Sequence, residues 1–402
     1  MIGSSFDKIF AAVAEPNIPY LSQWYLDTSV VVTPEKYAKF RQIQHIIYLA
    51  ILYYVEHCYC YRKVIPLTGF VEELLDLCSP YPYRPGTYRP DFLLEDNGEI
   101  KICEIGARFP LNGYCLSGIA ELIGIDKFPQ LPHKKDREYT RFFNYLFEYW
   151  GEGFDTVCVL KGDDRPGDMK YYTPLFEELG LTVIHLSPEK LLQNMSLLHK
   201  SAVINEFNQK ELEHLPKDVL KCIAASNSLN DMRTIFLIHD KRFMALLSDQ
   251  EFLSAFLPQD QIDIIKNIII PTYTYVQAFD KWNEAKWNRE GWVLKHSRLG
   301  KSEKVYVGHC CPKKEWEAIF SSPEIKDMVL QPFIKQRRVD SSIGDNLFRD
   351  YVVGMLLCFD DNFFGPGIFR TSSYEITNKI DDRKMASCIV STEDIYNNHL
   401  YI

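Results

Sequence analysis

The chain has 402 residues, 46% hydrophobic and 25% charged, with a formal net charge of −9. That composition supports a large buried core divided among two or three domains. An acidic chain is a poor general ligand for phosphate backbones, which excludes nucleic acid as a partner and leaves room only for a local basic pocket.

The opening MIGSSFDKIFAAVAEPN has no basic stretch leading into an apolar core, so no secretory signal is predicted. Thr33-Pro34 opens a helix over 34–58, with the threonine as cap and the proline at the first helical position. Its apolar run HIIYLAILYYV (45–55) is too short to span a bilayer and predicts a buried helix in a soluble, cytoplasmic protein with no membrane partner. A second helix is expected over 67–79. The stretch SPYPYRPGTYRP (79–90) reads as an exposed loop. DFLLE, the turn DNGE and IKICEI then predict a β-hairpin. Residues 135–150 read as an aromatic helix.

TVCVLKG (156–162), the turn DDRPGD, YYTPLFEELG (171–180) and LTVIHLS (181–187) form a βαβ pattern, with a further short strand in SAVINEF (201–207). Its scattered glycines are no dinucleotide fingerprint, so the segment reads as a structural α/β lobe. Residues 229–256 are expected to be helical around LIHDKRFMALLSD, and 274–288 to form another helix. GWVLKHSRLGKSEKVYVG (291–308) predicts strand, loop and strand, and MVLQPFI (328–334) a strand, with Pro332 suggesting an edge. The tail alternates strands with Asp-Asn and Gly-Pro-Gly turns. The eleven cysteines, including Cys58-x-Cys60 and the adjacent Cys310-Cys311, show no zinc spacing with a matching second half and read as free thiols of a reducing compartment.

Five segments carry residues able to do chemistry. Lys295 interrupts an apolar strand just before a small, basic loop; such a loop can fold over a polyphosphate, and it can equally be an ordinary hairpin. Gln331 stands beside a break in its strand, where backbone groups can meet an adenine ring. Lys241 and Arg242 open an amphipathic segment whose plainest reading is a solvated basic face. Arg370 follows a tight turn at a strand end, as a phosphate clamp or a surface arginine would. In the hairpin, alternation puts Arg89 and Asp91 on one face, and antiparallel pairing brings Asp91 opposite Glu104. Two facing carboxylates repel unless a cation lies between them, and magnesium takes such a pair together with phosphate oxygens and water. Arg108 and Asn112 follow on the next loop. The same residues also fit an arginine–carboxylate network closing a hairpin.

The order of these segments resembles the ATP-grasp ligases, in the circularly permuted arrangement of glutathionylspermidine synthase. RPDF (89–92) matches that family's metal hairpin and EIG (104–106) its second element. HDKRFMALL and WVLK carry the two nucleotide lysines, LQPFI resembles the adenine hinge, and GPGIFRTSSYEITN the terminal arginine segment. The resemblance implies an α/β (α+β) ATP-grasp fold: a helical segment plus metal hairpin over 1–151, a pre-ATP-grasp lobe over 152–228, and a nucleotide-binding region over 229–402. It implies ATP and Mg2+ as cofactors and an acyl-phosphate route joining a small-molecule or peptide carboxylate to an amine or thiol, with a carrier protein as one conceivable acceptor. On this reading Asp91, Glu104 and Asn112 hold the metal, and Lys241, Lys295, Gly300, Lys301, Ser302, Gln331, Phe333 and Ile334 hold the nucleotide. Arg89 and Arg370 act on the transferring phosphoryl group, and Arg108 meets the substrate; Tyr88, in the Tyr-rich loop, and Tyr114, in NGYCLSG, are candidates to line its pocket, though tyrosines in such stretches more often simply pack. One departure stands out: the family's asparagine after the glutamate is Gly106 here. A silent nucleotide-binding protein and a phosphotransferase are the alternatives.

Overall fold

Alternating apolar residues and one tight turn build the element on which the site rests. A computed structural model describes residues 5–162, 169–377 and 380–402. The expected turn DDRPGD and Asn378 fall outside them. The strands Thr87–Leu94 and Ile100–Gly106 are joined around Gly98, whose φ of +85° suits glycine. This hairpin forms one side of a seven-stranded sheet, in which its first strand pairs antiparallel with the long strand Asn346–Phe359, Met355 opposite Asp91. Phe369–Ser372 pairs on the other side of the long strand, and Arg383–Met385 beyond it.

A four-stranded antiparallel sheet stands apart from this central one. Its order is Val305–Val307, Trp292–His296, Met328–Pro332 and Tyr273–Thr274. Met328–Pro332 is an interior strand here. Its neighbour Tyr273–Thr274 reaches only as far as Leu330, so Pro332 lies beyond that pairing and its missing N–H breaks no ladder bond there. The expected α/β lobe appears as a four-stranded parallel sheet, with Thr156–Leu160 between Thr182–Leu186 and Ala202–Asn205, and Ser228–Leu229 outermost.

The helix Pro34–His57 begins as its sequence predicts. The Thr33 hydroxyl accepts from the Lys36 amide at 3.4 Å, and Phe40, Ile43, Ile47 and Ile51 bury its inner face. Thr33→Ala is expected to cost about 1 kcal/mol, the usual value of a lost N-cap, read as a lower midpoint in urea with unchanged slope. No helix among the described residues is long and apolar enough to cross a membrane.

Two further expectations need correction. The 79–90 stretch is an exposed loop only at its start: Pro85 and Gly86 are buried, and the strand begins at Thr87. The 229–256 segment is not one helix with a solvated face. It breaks at His239–Arg242 into a π-turn Thr234–Ile238 and the short helices Phe243–Leu246 and Gln250–Ser254, and residues 234–247 are all buried. Burial of Arg242 is tolerated because Asp240 takes its guanidinium at 2.5 Å.

Candidate active site

Between the central and the four-stranded sheets lies a cavity of about 570 Å3, on whose wall Lys and Arg outnumber Asp and Glu. In an acidic chain, this is the local basic pocket that net charge leaves open. The hairpin supplies its floor. Asp91 and Glu104 face one another in register, with a bulge immediately after Asp91. Asp91 is buried, and its Oδ2 lies 3.2 Å from Arg370 Nη2 while its Oδ1 has no protein partner. Glu104 opens onto the cleft and lies 3.6 Å from Lys241 Nζ. Burial raises the pKa of Asp91 against the pull of Arg370 and Arg89. Burial also opposes ionisation of Glu104, but Lys241 and Lys295 together overcome it and hold the group below its ordinary value.

The two lysines reach this floor from different elements. Lys241 leaves the break in the buried segment and donates to the carbonyl of Leu299, while its own amide donates to Ser297 at 2.8 Å. It therefore holds the loop between Trp292–His296 and Val305–Val307. In that loop Lys301, Ser302 and Lys304 have φ of +55°, +59° and +51°, a left-handed conformation that costs side-chain-bearing residues energy and concentrates at functional sites. The Ser302 hydroxyl donates to the Thr377 carbonyl at 3.4 Å, tying the loop to the terminal segment. Lys295, from the strand itself, donates to the Cys103 carbonyl at 3.3 Å. Gln331 donates to that same carbonyl at 3.2 Å and to Thr272 at 2.8 Å, so its side chain ties the two sheets together.

The cavity wall brings together Arg89, Asp91, Glu104, Arg108, Asn112, Lys241, Lys295, Gly300, Lys301, Ser302, Gln331, Phe333, Ile334 and Arg370. Tyr88 and Tyr114 are not on it. The alternation that points Arg89 and Asp91 into the cleft turns Tyr88 to the opposite face. There Tyr88 is buried, accepting from Gln44 at 3.0 Å and donating to the Asp360 carbonyl at 3.1 Å. Tyr114 donates to the Cys358 carbonyl at 2.6 Å and stacks on Phe142. Both are core residues. Gly106 sits opposite Arg89, and a Cβ there would come within 3.1 Å of the Arg89 guanidinium. The space of the family's asparagine is thus partly taken by arginine, while Asn112 lies on the cavity wall.

Sequence reasoning missed His239. It is buried beside Glu104 and Lys241, and its Nδ1 accepts from the Ala107 amide at 3.3 Å. Burial, then the Lys241 charge, lowers its pKa to about 3, so the imidazole is neutral with the proton assigned to Nε2, which lies without a protein partner. No sequence signal marked it, because the Ala107 amide that it accepts from and the Glu104 carboxylate beside it lie more than a hundred residues away.

The donor set suits magnesium: two oxygen ligands, one with an unpartnered buried oxygen, beside cations able to meet phosphates. A family described as the AnkG N-terminal domain matches residues 53–237. An ATP-grasp enzyme, ankG, from Aspergillus thermomutatus is 22% identical, over 79% of this chain and 78% of that protein. The apo structure of a glutathione synthetase-like effector (GSS30) from Globodera pallida superposes with a TM-score of 0.56 at 10% identity, over 91% of this chain and 90% of that one. With the hairpin, the lysine strand and the hinge strand arranged about one cleft, the chain resembles an ATP-grasp enzyme in sequence and shares its fold with a glutathione synthetase-like protein.

Proposed function

We propose that the chain is an ATP- and magnesium-dependent ligase that activates a carboxylate as an acyl phosphate and transfers it to an amine or thiol. The observation that carries this reading is the pairing of Asp91 with Glu104 beneath Lys241, Lys295 and Arg370 in one cavity. Asp91 and Glu104, with Asn112, would hold the magnesium, which supplies charge neutralisation on the phosphates. Lys241 and Lys295 bind phosphate oxygens, and the loop bearing Gly300, Lys301 and Ser302 covers them. Gln331, Phe333 and Ile334 border the adenine end.

A carboxylate oxygen of the acid attacks the γ-phosphorus as the bond to ADP breaks, while Arg370 and Arg89 meet the charge on the moving phosphoryl group. The acceptor nitrogen or sulfur then attacks the acyl carbon, phosphate leaves, and the acceptor's proton passes to solvent. Arg108, on the cavity wall, would meet the acid, a small molecule or peptide; the acceptor is a small molecule or a carrier protein. The free thiols found among the described residues accord with a cytosolic setting.

ATP is expected to bind well only with magnesium present. Calorimetry with and without chelator tests this, and equal affinity in both conditions would remove the carboxylate assignment. Gly106 favours one other reading, a nucleotide-binding protein without turnover. Saturable ATP binding with no ADP formed across a broad panel of acids and amines would establish that reading instead.

A further inference from the structure

The mouth of the cleft carries a second cluster of ligating side chains. His309 and Cys310 follow the strand Val305–Val307, and Glu375 follows Phe369–Ser372 on the central sheet. His309 Nε2 lies 2.8 Å from Glu375 Oε2, and Cys310 Sγ lies 3.2 Å from the same oxygen. All three donor atoms fall within 4.8 Å of one another. We propose that His309, Cys310 and Glu375 form a zinc site that fastens the four-stranded sheet to the central sheet beside the entrance to the cleft.

The donor chemistry selects the metal. One imidazole nitrogen, one sulfur and one carboxylate oxygen suit borderline-soft zinc, whereas magnesium takes oxygen ligands alone. Zinc bonds of roughly 2.0–2.3 Å place tetrahedral ligand atoms roughly 3.3–3.8 Å apart, so the present spacing needs only small movements.

The backbone holds both halves of the site. The amides of Cys310 and Cys311 donate to the Val307 carbonyl at 3.0 and 2.8 Å, and Gly308 donates to Trp292 at 2.9 Å. Arg289 donates to the carbonyls of Gly308 and Cys311, closing the turn from beneath. On the other side, the Tyr351 hydroxyl lies 3.4 Å from Glu375 Oε1, and the His309 ring meets Phe333 edge-on. His309 and Cys310 are exposed, which gives the ion a path in and leaves a fourth position for water. As the zinc–sulfur bond forms, the thiol proton passes to solvent. Glu375 also lies on the cavity wall, so the ion would brace one side of the nucleotide entrance. This site rests on its own donor atoms and does not depend on the ligase reading.

The test uses the full chain, stripped with chelator and titrated calorimetrically with zinc chloride alone. One equivalent is expected in the wild type and in Asp91→Asn. Affinity should fall at least about tenfold in Cys310→Ser and in His309→Gln. Cobalt(II) should give a thiolate-to-metal charge-transfer band that disappears in Cys310→Ser. Both substituted side chains are exposed, and circular dichroism verifies that the variants fold. The proposal is overturned by a wild type with no saturable site, by undiminished binding in Cys310→Ser, or by zinc binding that disappears in Asp91→Asn.

Discussion

Arg370→Ala is expected to lose carboxylate-dependent ADP release by about a hundredfold or more, the scale seen when one preorganised charge donor is removed. The residue is well placed for that role. Pairing of its backbone with Val353 fixes it on the central sheet, its Nη2 meets Asp91 at 3.2 Å, and its buried Nε has no protein partner. If its value lies in the transition state, ATP affinity at saturating magnesium should change little while the maximal rate collapses. A second consequence follows from the carboxylate. Burial already raises the Asp91 pKa, and Arg370 is the strongest charge opposing that rise. Without it Asp91 takes a proton at higher pH, so the variant should need more magnesium for the same ATP binding. Arg370→Lys should rescue only in part, because an ammonium keeps the charge without the planar fork. A screen of amino acids and small peptides for ADP formation supplies the substrate. Full activity in Arg370→Ala would make the residue structural, and complete loss of ATP binding at saturating magnesium would make it a ground-state nucleotide contact.

Lys295→Ala should weaken ATP binding by about 1.5–3 kcal/mol, the range for hydrogen bonds to charged groups. The fold should survive, for a reason visible in the hydrogen bonds. The Cys103 carbonyl that Lys295 meets at 3.3 Å also accepts from Gln331 at 3.2 Å, so removing the lysine strands no buried acceptor. Near-normal melting with weakened nucleotide binding is the expected pair of results. Unchanged affinity would show that the lysine braces the sheets and does not bind phosphate.

The parts of this molecule legible in its sequence are those whose signals are local. A turn residue and two-residue alternation placed the hairpin, and through it Asp91 opposite Glu104. The lysine strand, the hinge strand and the parallel lobe announced themselves in the same way. The helix Tyr114–Lys127 did not. Gly113 enters it at φ +100°, and Gly118 lies where a Cβ would come within 2.6 Å of Phe10. That glycine serves close packing, which a reading of helix propensity scores as a defect. Lys241 and Arg242 looked solvated because their partners are hard to see in the string: Arg242 is neutralised by Asp240, two residues back, and Lys241 by Glu104, with the Leu299 carbonyl accepting its hydrogen bond. The tyrosines failed differently. Aromatic side chains near a polar cleft suggested contact with substrate, yet each hydroxyl was needed to satisfy a carbonyl in the core.

The central sheet also sets a timetable for synthesis. The strand bearing Asp91 pairs with the long strand Asn346–Phe359, joining Leu93 to Val353, and Arg370 arrives later still. A chain emerging from the ribosome can close its hairpin and its parallel lobe early. The outer edge of the strand bearing Asp91, however, waits without its second neighbour while some 250 further residues emerge, roughly 12–50 s at ordinary elongation rates. During that interval an unpaired strand edge is open to pairing with another chain. Misassembly of this protein is therefore expected to be most acute before residue 346 emerges, and slower elongation across 107–345 should lower the yield of active protein without altering its final stability.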